Sequence, residues 1–456
     1  MSILDSMDSD RPVMVAIPFG VNLSAKSTTA DREAVFLARL SLYTSMSPER
    51  QRDRHWIPIP AKLPRMLLGT TEYRKRIERL CGAGIIEVND SYSDGKIGGE
   101  AFPKAYRFTK AHCSGRHRLH QLKSKRAREI ALKEKQIDPA NLRPAGMYYW
   151  QHGNSFQLDR SAVDAIGHED YWTQWNLGQW KSGENYATRC DYGRYHSLLT
   201  RTPRTVRPFL TTAAGERLGI VDVSAAQPSL IGAVAANMAS SHGAPPKWNQ
   251  RGRDAPGYLC NVADFFGGYE EKRRVIQNAP TDIQQWIELC ESGLIYDYML
   301  DQISRLPGPA MIEMRNAQGT RFRVDARDMN RSQIKRATLV PLFDHQDATE
   351  RNPLFQIVRR DFPTIARSVE LIKSQTVPDG RKLHEALARL LQLLESTLMI
   401  DGVGTVLERQ HKDEPVQPIH DAILCRMDFC GQATEIIKAQ FARLGLRPLV
   451  KLDACN

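Results

Sequence analysis

The chain has little that would tie it to a membrane or to an oxidising compartment. Its opening residues, MSILDSMDSD, are acidic and carry no apolar core, so no signal peptide is expected. Its longest apolar run, Leu218 to Ala239, is interrupted by Asp222, Gln227 and Pro228, which makes it a poor membrane span. Eight cysteines are scattered without pairing or tight spacing, which argues against a disulfide framework. Repeats and low-complexity tracts are lacking as well. These absences predict a soluble, cytoplasmic protein with reduced thiols and no membrane partner.

What is present is an ordinary globular composition with an excess of positive charge. The chain has 456 residues, 41% hydrophobic and 25% charged, enough for two or three domains that each bury a core. Lys and Arg number 63 against 52 Asp and Glu, a net charge of +11. A surplus of that size favours polyanionic partners, because surface cations displace the counterions of a phosphate backbone.

Residues 1–50 are polar with one apolar patch near Ala34 to Tyr43, and no role is read from them. Residues 51–112 read as a small module. Tyr73, Ile77, Leu80 and Cys81 share one helical face, Arg74, Lys75, Arg76 and Arg79 cover the other, and Gly82 and Gly84 stop the helix. A strand beginning at Ile85, a turn-rich stretch with Asp94, Gly95, Gly98 and Gly99, and a strand near Tyr106 to Thr109 follow. A helix followed by a hairpin with Lys96, Lys104 and Arg107 is the pattern of a winged helix, which places a helix in a DNA groove. A helix–hairpin packing unit with a solvated basic face fits the same residues.

Residues 113–190 form a basic and aromatic-rich connecting or thumb-like region. Arg116, Arg118, Lys123, Lys125, Arg126, Arg128 and Lys133 suit either a solvated helix or phosphate contact. DPANLRP, near 139–144, marks a break. Tyr148, Tyr149, Trp150, Tyr171, Trp172, Trp175 and Trp180 fit an aromatic core, with base stacking as the alternative. Cys113, His117 and His120, with His112 beside them, would be a zinc set only with a closed fourth ligand, and no second pair follows nearby.

The chemistry is concentrated in residues 191–456. In LGIVDVSAAQPSLIGAVA, Leu218 to Ser224 reads as a buried strand, with Pro228 where a helix begins. Asp222 therefore stands at a strand end, where a buried carboxylate needs a partner such as a divalent cation; capping of the next helix is the plainer role. VQPIHDAILCRMDF places His420 and Asp421 at the tip of a tight hairpin, where turn chemistry alone also selects Asp. Between these segments, Arg331, Lys335, Leu339 and Phe343 recur every four residues, near one helical face. Two cations followed by an apolar and an aromatic residue suit a nucleoside triphosphate, although a solvated basic face fits too.

In this order, the three segments resemble the signature motifs of family A DNA polymerases and the related phage single-subunit RNA polymerases. GRYHSLLTRTPRTVRPFL, DIQQWIELCESGLIYDYML and HEALARLLQLLEST add to the resemblance, which spans about Gly193 to Arg426 and points to small members from phages and mobile elements. It implies an α+β fold, a polymerase palm with an antiparallel sheet and helical fingers, preceded by the winged-helix-like module. It implies that Asp222, Asp421 and the carbonyl of Val223 bind two Mg²⁺ ions. Arg331 and Lys335 would neutralise the triphosphate, with Lys335 also donating a proton to the pyrophosphate. Gln227 stands where these DNA polymerases carry a Glu that blocks a ribose 2′-hydroxyl. Phe343 would pack near the nascent base pair, His420 would orient the primer end, and Arg194 would touch primer or template. The expected partners are a primer–template, DNA favoured, and nucleoside triphosphates. An RNA polymerase or primase on this fold, or an inert winged-helix replication protein, are the other readings. Pro341, Asp344 in place of a Gly, and Ala422 after Asp421 depart from the usual pattern; Pro341 should kink or shorten its helix.

Overall fold

Two separate apolar cores organise the chain, and the sequence changes from one to the other between Ala131 and Leu142. The computed structural model describes residues 12–45, 56–91, 103–113, 116–135, 138–159, 171–182, 186–241, 244–246, 248–250, 258–260, 272–315, 321–343, 349, 351–375 and 386–455. The expected turn residues Asp94, Gly95, Lys96, Gly98 and Gly99 lie outside them, as do Asp344 and the side chains of Lys133, Tyr171 and Trp172. The fold is mixed α+β, with small antiparallel sheets among many helices.

The first core is built by β1 (Met14–Pro18), α1 (Ser27–Ser45), β2 (Ile57–Pro58), α2 (Lys62–Leu68), α3 (Tyr73–Gly82), β3 (Ile86–Asn89), β4 (Ala105–Phe108), β5 (His117–Gln121) and α4 (Lys125–Lys135). Strands β2, β4 and β3 form an antiparallel sheet in that order. Phe36 of α1 meets Tyr106 of β4 edge-on at 5.8 Å, which ties helix to sheet. Strand β1 pairs with β5, so residues before 50 and after 112 share this core. That pairing links segments about a hundred residues apart and leaves no local trace.

The basic face read on α3 is also partly spent inside the protein. Arg79 forks onto the buried Glu33 of α1, Arg76 donates to the Leu68 carbonyl, and Arg74 lies over the Tyr73 ring. His120 bonds Asp31 at 2.9 Å, and the same Asp31 accepts from the Lys123 and Ser124 amides ahead of α4.

The second core begins with α5 (Pro139–Gln151), so the span 113–190 is divided between the two cores. Tyr148 and Tyr149 are buried there and donate to the carbonyls of Glu414 and Met399. At its centre is an antiparallel four-stranded sheet. Its strands are β6 (Leu218–Val223), β7 (Val416–Ile419), β8 (Ala422–Arg426) and β9 (Val450–Ala454), in the order β7-β8-β6-β9. Pro418 is tolerated in β7 because that strand is an edge.

Around the sheet lie α6 (Ala226–Ser240), α7 (Thr281–Glu291), α8 (Ile295–Ser304), α9 (Arg331–Phe343), α10 (Pro353–Asp361) and α11 (Pro363–Lys373). They are joined by α12 (Ala386–Ser396), α13 (Val403–Gln410) and α14 (Cys430–Ala442). Helix α6 is mostly apolar and buried over most of its length, so it runs through the core. The continuous stretch Ala386–Gln410, π-helical at Thr397–Gly402, is long and apolar enough to cross a bilayer. Leu387, Leu390, Leu394, Met399 and Leu407 are buried in the core instead, which accounts for its apolarity.

Candidate active site

Strand alternation gives the central sheet two different faces. Gly219, Val221 and Val223 are buried, the two valines in the main core. Leu218 and Ile220 point the other way, into a smaller cluster with Phe156, Leu199, Leu210 and Leu424. Asp222 follows on that second face, opposite Ala422 and Lys451 in the ladder. It is half-buried, at the end of the strand where the apolar cover stops.

Asp421 reaches the same place from the hairpin. Ile419 pairs with Ala422, leaving His420 and Asp421 as a two-residue loop. His420 takes φ +58°. A positive φ at only the first loop residue is the pattern of a II′ turn, where glycine is usual. The Asp421 carbonyl accepts from the Val223 amide at 3.1 Å, which ties the loop to the residue after Asp222. Ala225, just beyond, is also left-handed at φ +52°. Of the three non-glycine residues with positive φ among those described, two flank the carboxylates, a concentration of strain that accompanies functional sites.

The electrostatics bind this region into one unit. Burial, and then Asp421, push the Asp222 carboxyl up to about 6, against the pull of Lys335 and Arg204. Burial likewise raises Asp421, opposed by its own backbone amide and then by Lys335, Arg194 and Arg204. Lys335 of α9 is thus a cation common to both acids. Burial, with Arg194, His196 and Arg207, lowers the His420 imidazole to about 4, so it is neutral at ordinary pH. Its Nδ1 is buried without a hydrogen-bond partner.

The remaining residues singled out in the sequence fall as follows. Gln227, in the first turn of α6, donates to Glu395 at 3.2 Å. Arg194 donates to the same Glu395 through Nε at 3.0 Å. Arg331 opens α9 but is turned to Asp297, at 2.9 Å, and to the Gly293 carbonyl, at 2.8 Å. Phe343 ends α9, and its side chain lies outside the described residues. The helix passes through Pro341 and ends two residues later. The Pro341 carbonyl accepts from buried Lys373 at 2.7 Å, a cation at a helix C-terminus.

Sequence reasoning missed four residues here. Tyr296 of α8, 3% exposed, lies beneath Arg331 and Lys335 at 5.7 and 5.9 Å and feels both acids. Arg204 and Asp453 contribute charge, and Glu395 joins Gln227 to Arg194. Tyr296, Arg204 and Glu395 lie inside segments already noted for resemblance, but only the folded chain brings their side chains to the acids.

Among the described residues no group of three or more His, Cys, Asp and Glu is arranged to hold a metal ion. Asp222 and Asp421, coupled electrostatically, would offer a cation oxygen donors only. That suits a Mg²⁺-type cation, which takes one or two carboxylates and fills its shell with water and substrate phosphates. Two half-buried acids raised by burial are the environment a cation would relieve.

No family model matches the chain, and no curated protein matches it. A solved structure described as the POL domain of Pol1 from M. smegmatis, in complex with DNA primer-template and dNTP, superposes with a TM-score of 0.34 at 10% identity. The match covers 64% of this chain and 51% of that one, so the chain spans about half its length. A likeness that distant carries no functional inference.

Proposed function

We propose that this chain is a template-directed DNA polymerase that extends a primer by phosphoryl transfer. The observation that carries the reading is the pairing of Asp222 and Asp421 at the end of the central sheet, with Lys335 and Arg204 as cations common to both. Asp222, Asp421 and the Val223 carbonyl would hold Mg²⁺. When bound, the ions would activate the primer 3′-hydroxyl and neutralise the leaving pyrophosphate.

The chain's own groups have separable tasks in this reaction. Lys335 would steady the triphosphate and give a proton to the pyrophosphate as it leaves. Arg331 would join it on exchanging Asp297 for phosphate. Neutral His420 would orient the primer end, Arg194 would grip primer or template, and Phe343 would pack near the nascent pair. Gln227 is bulky enough to crowd a ribose 2′-hydroxyl, which favours deoxynucleotides.

The first core suits a nucleic-acid-binding accessory. Helix α1, strand β2, helices α2 and α3, then the β3–β4 hairpin with sheet order β2-β4-β3, support a winged helix. Its domain would be residues 12–135 rather than 51–112.

The test is extension of a primed DNA template in Mg²⁺ with dNTPs or NTPs. Extension with dNTPs, abolished in Asp222→Ala, is expected. Incorporation of ribonucleotides alone, or initiation without a primer, would move the assignment to an RNA polymerase or primase. No extension by wild type, with DNA binding unchanged in Asp222→Ala and Asp421→Ala, would leave an inert DNA-binding protein.

A further inference from the structure

Glu395, near the end of α12, is only 2% exposed, yet it is a carboxylate, and the chemistry proposed above gives it no task. Its Oε1 accepts from Arg194 through Nε at 3.0 Å and Nη2 at 2.8 Å, a forked contact. Its Oε2 accepts from Gln227 Nε2 at 3.2 Å. The partners are 201 and 168 residues away in the chain. One buried acid thus joins the residue proposed at the primer to the residue proposed at the incoming sugar. Burial raises the Glu395 carboxyl, and Arg194 and the Gln227 amide act in the other direction, toward the charged form.

Donor and acceptor bookkeeping then fixes the orientation of Gln227. A carboxylate only accepts hydrogen bonds, so it must take the amide NH₂ and leaves the amide oxygen as the outward end. A side chain held in this way is a rigid wall, whereas an unheld Gln samples several rotamers. Glu395→Gln would set one amide against another. Its oxygen would keep Arg194, and its NH₂ would face the NH₂ of Gln227, which must flip or swing away.

We propose that Glu395 is a positioning residue that locks the Gln227 amide as a fixed gate beside the incoming sugar and steadies Arg194 against the primer, coupling sugar discrimination to primer grip. This rests on the polymerase reading above.

The experiment is steady-state extension of a primed DNA template by the full chain, with dNTPs and with NTPs. Wild type, Glu395→Gln, Glu395→Asp, Gln227→Ala and the Gln227→Ala/Glu395→Gln double variant are compared. Expected for Glu395→Gln is a fall of about tenfold in the dNTP-over-NTP ratio of kcat/KM, a severalfold rise in primer–template KM, and a much smaller change in kcat. Glu395→Asp, which keeps the charge, should recover part of the ratio, and it serves as the informative variant if Glu395→Gln does not fold. The double variant should discriminate no worse than Gln227→Ala alone, because both substitutions remove one device. A merely structural role would lower all substrates together and leave the ratio fixed. A Glu395→Gln enzyme with an unaltered ratio and primer KM would overturn this inference while the polymerase reading stands. A wild-type chain that extends no primer would overturn that reading itself.

Discussion

At the scale of single residues, the site is held under electrostatic load. Asp222 titrates near 6 rather than near 3.8 because burial and Asp421 disfavour its charge. A carboxyl raised in the folded state binds its proton more tightly there than in the unfolded chain. Stability without a cation should therefore fall as pH rises from about 3.8 to about 6, and stay lower above that. Asp222→Asn should stabilise the metal-free protein at pH 8 by on the order of 1 kcal/mol, after discounting for solvent screening. Thermal melts at pH 8 and pH 4 check this, since the gain should vanish at the lower pH. His420 acts in the opposite window. Its folded value, about 4, lies below the usual 6.5, so stability should be lost as pH falls from 6.5 toward 4. A wild-type melting curve steeper across that interval than His420→Asn would show it.

The elements that carry the acids were legible because each is a local pattern. The apolar run Leu218 to Val223 is a strand, and two short apolar runs around His420-Asp421 are a hairpin with a two-residue loop. Helix α9 could also be read from its spacing, but the state of Arg331 could not. The Asp297 that engages it sits on another helix, and an exposed pair of that kind leaves no mark in sequence. Such pairs contribute about 0–1 kcal/mol, so Asp297→Asn should lower the KM for nucleoside triphosphate by a few fold at most. Initial rates against triphosphate concentration would decide it, and a raised KM counts against Arg331 as a phosphate ligand. Packing beneath the site is tight at Gly232 of α6, where a Cβ would lie 2.5 Å from Ile287 Cγ1. Gly232→Ala should cost about 1–3 kcal/mol by denaturant titration.

Across the whole molecule, the two cores meet a chain of net charge +11. Charge was readable from composition, whereas the long-range pairings were not. The pairing of β1 with β5 and the bridge from Glu395 to Arg194 both join distant segments, and neither has a local periodicity. If phosphate contacts dominate nucleic-acid binding, primer–template affinity should fall by two or more orders of magnitude between about 50 and 200 mM salt. Fluorescence anisotropy over that range measures the slope, and a flat response would leave the surplus charge without this role.

The most direct measurement is the rate of Mg²⁺-dependent primer extension by wild type, Asp222→Ala, Asp421→Ala and the double variant. Two acids that act as one unit should each be indispensable: either single change lowers the rate by about 10³-fold or more, and the double variant is scarcely worse. Single variants that extend at the wild-type rate would contradict the account.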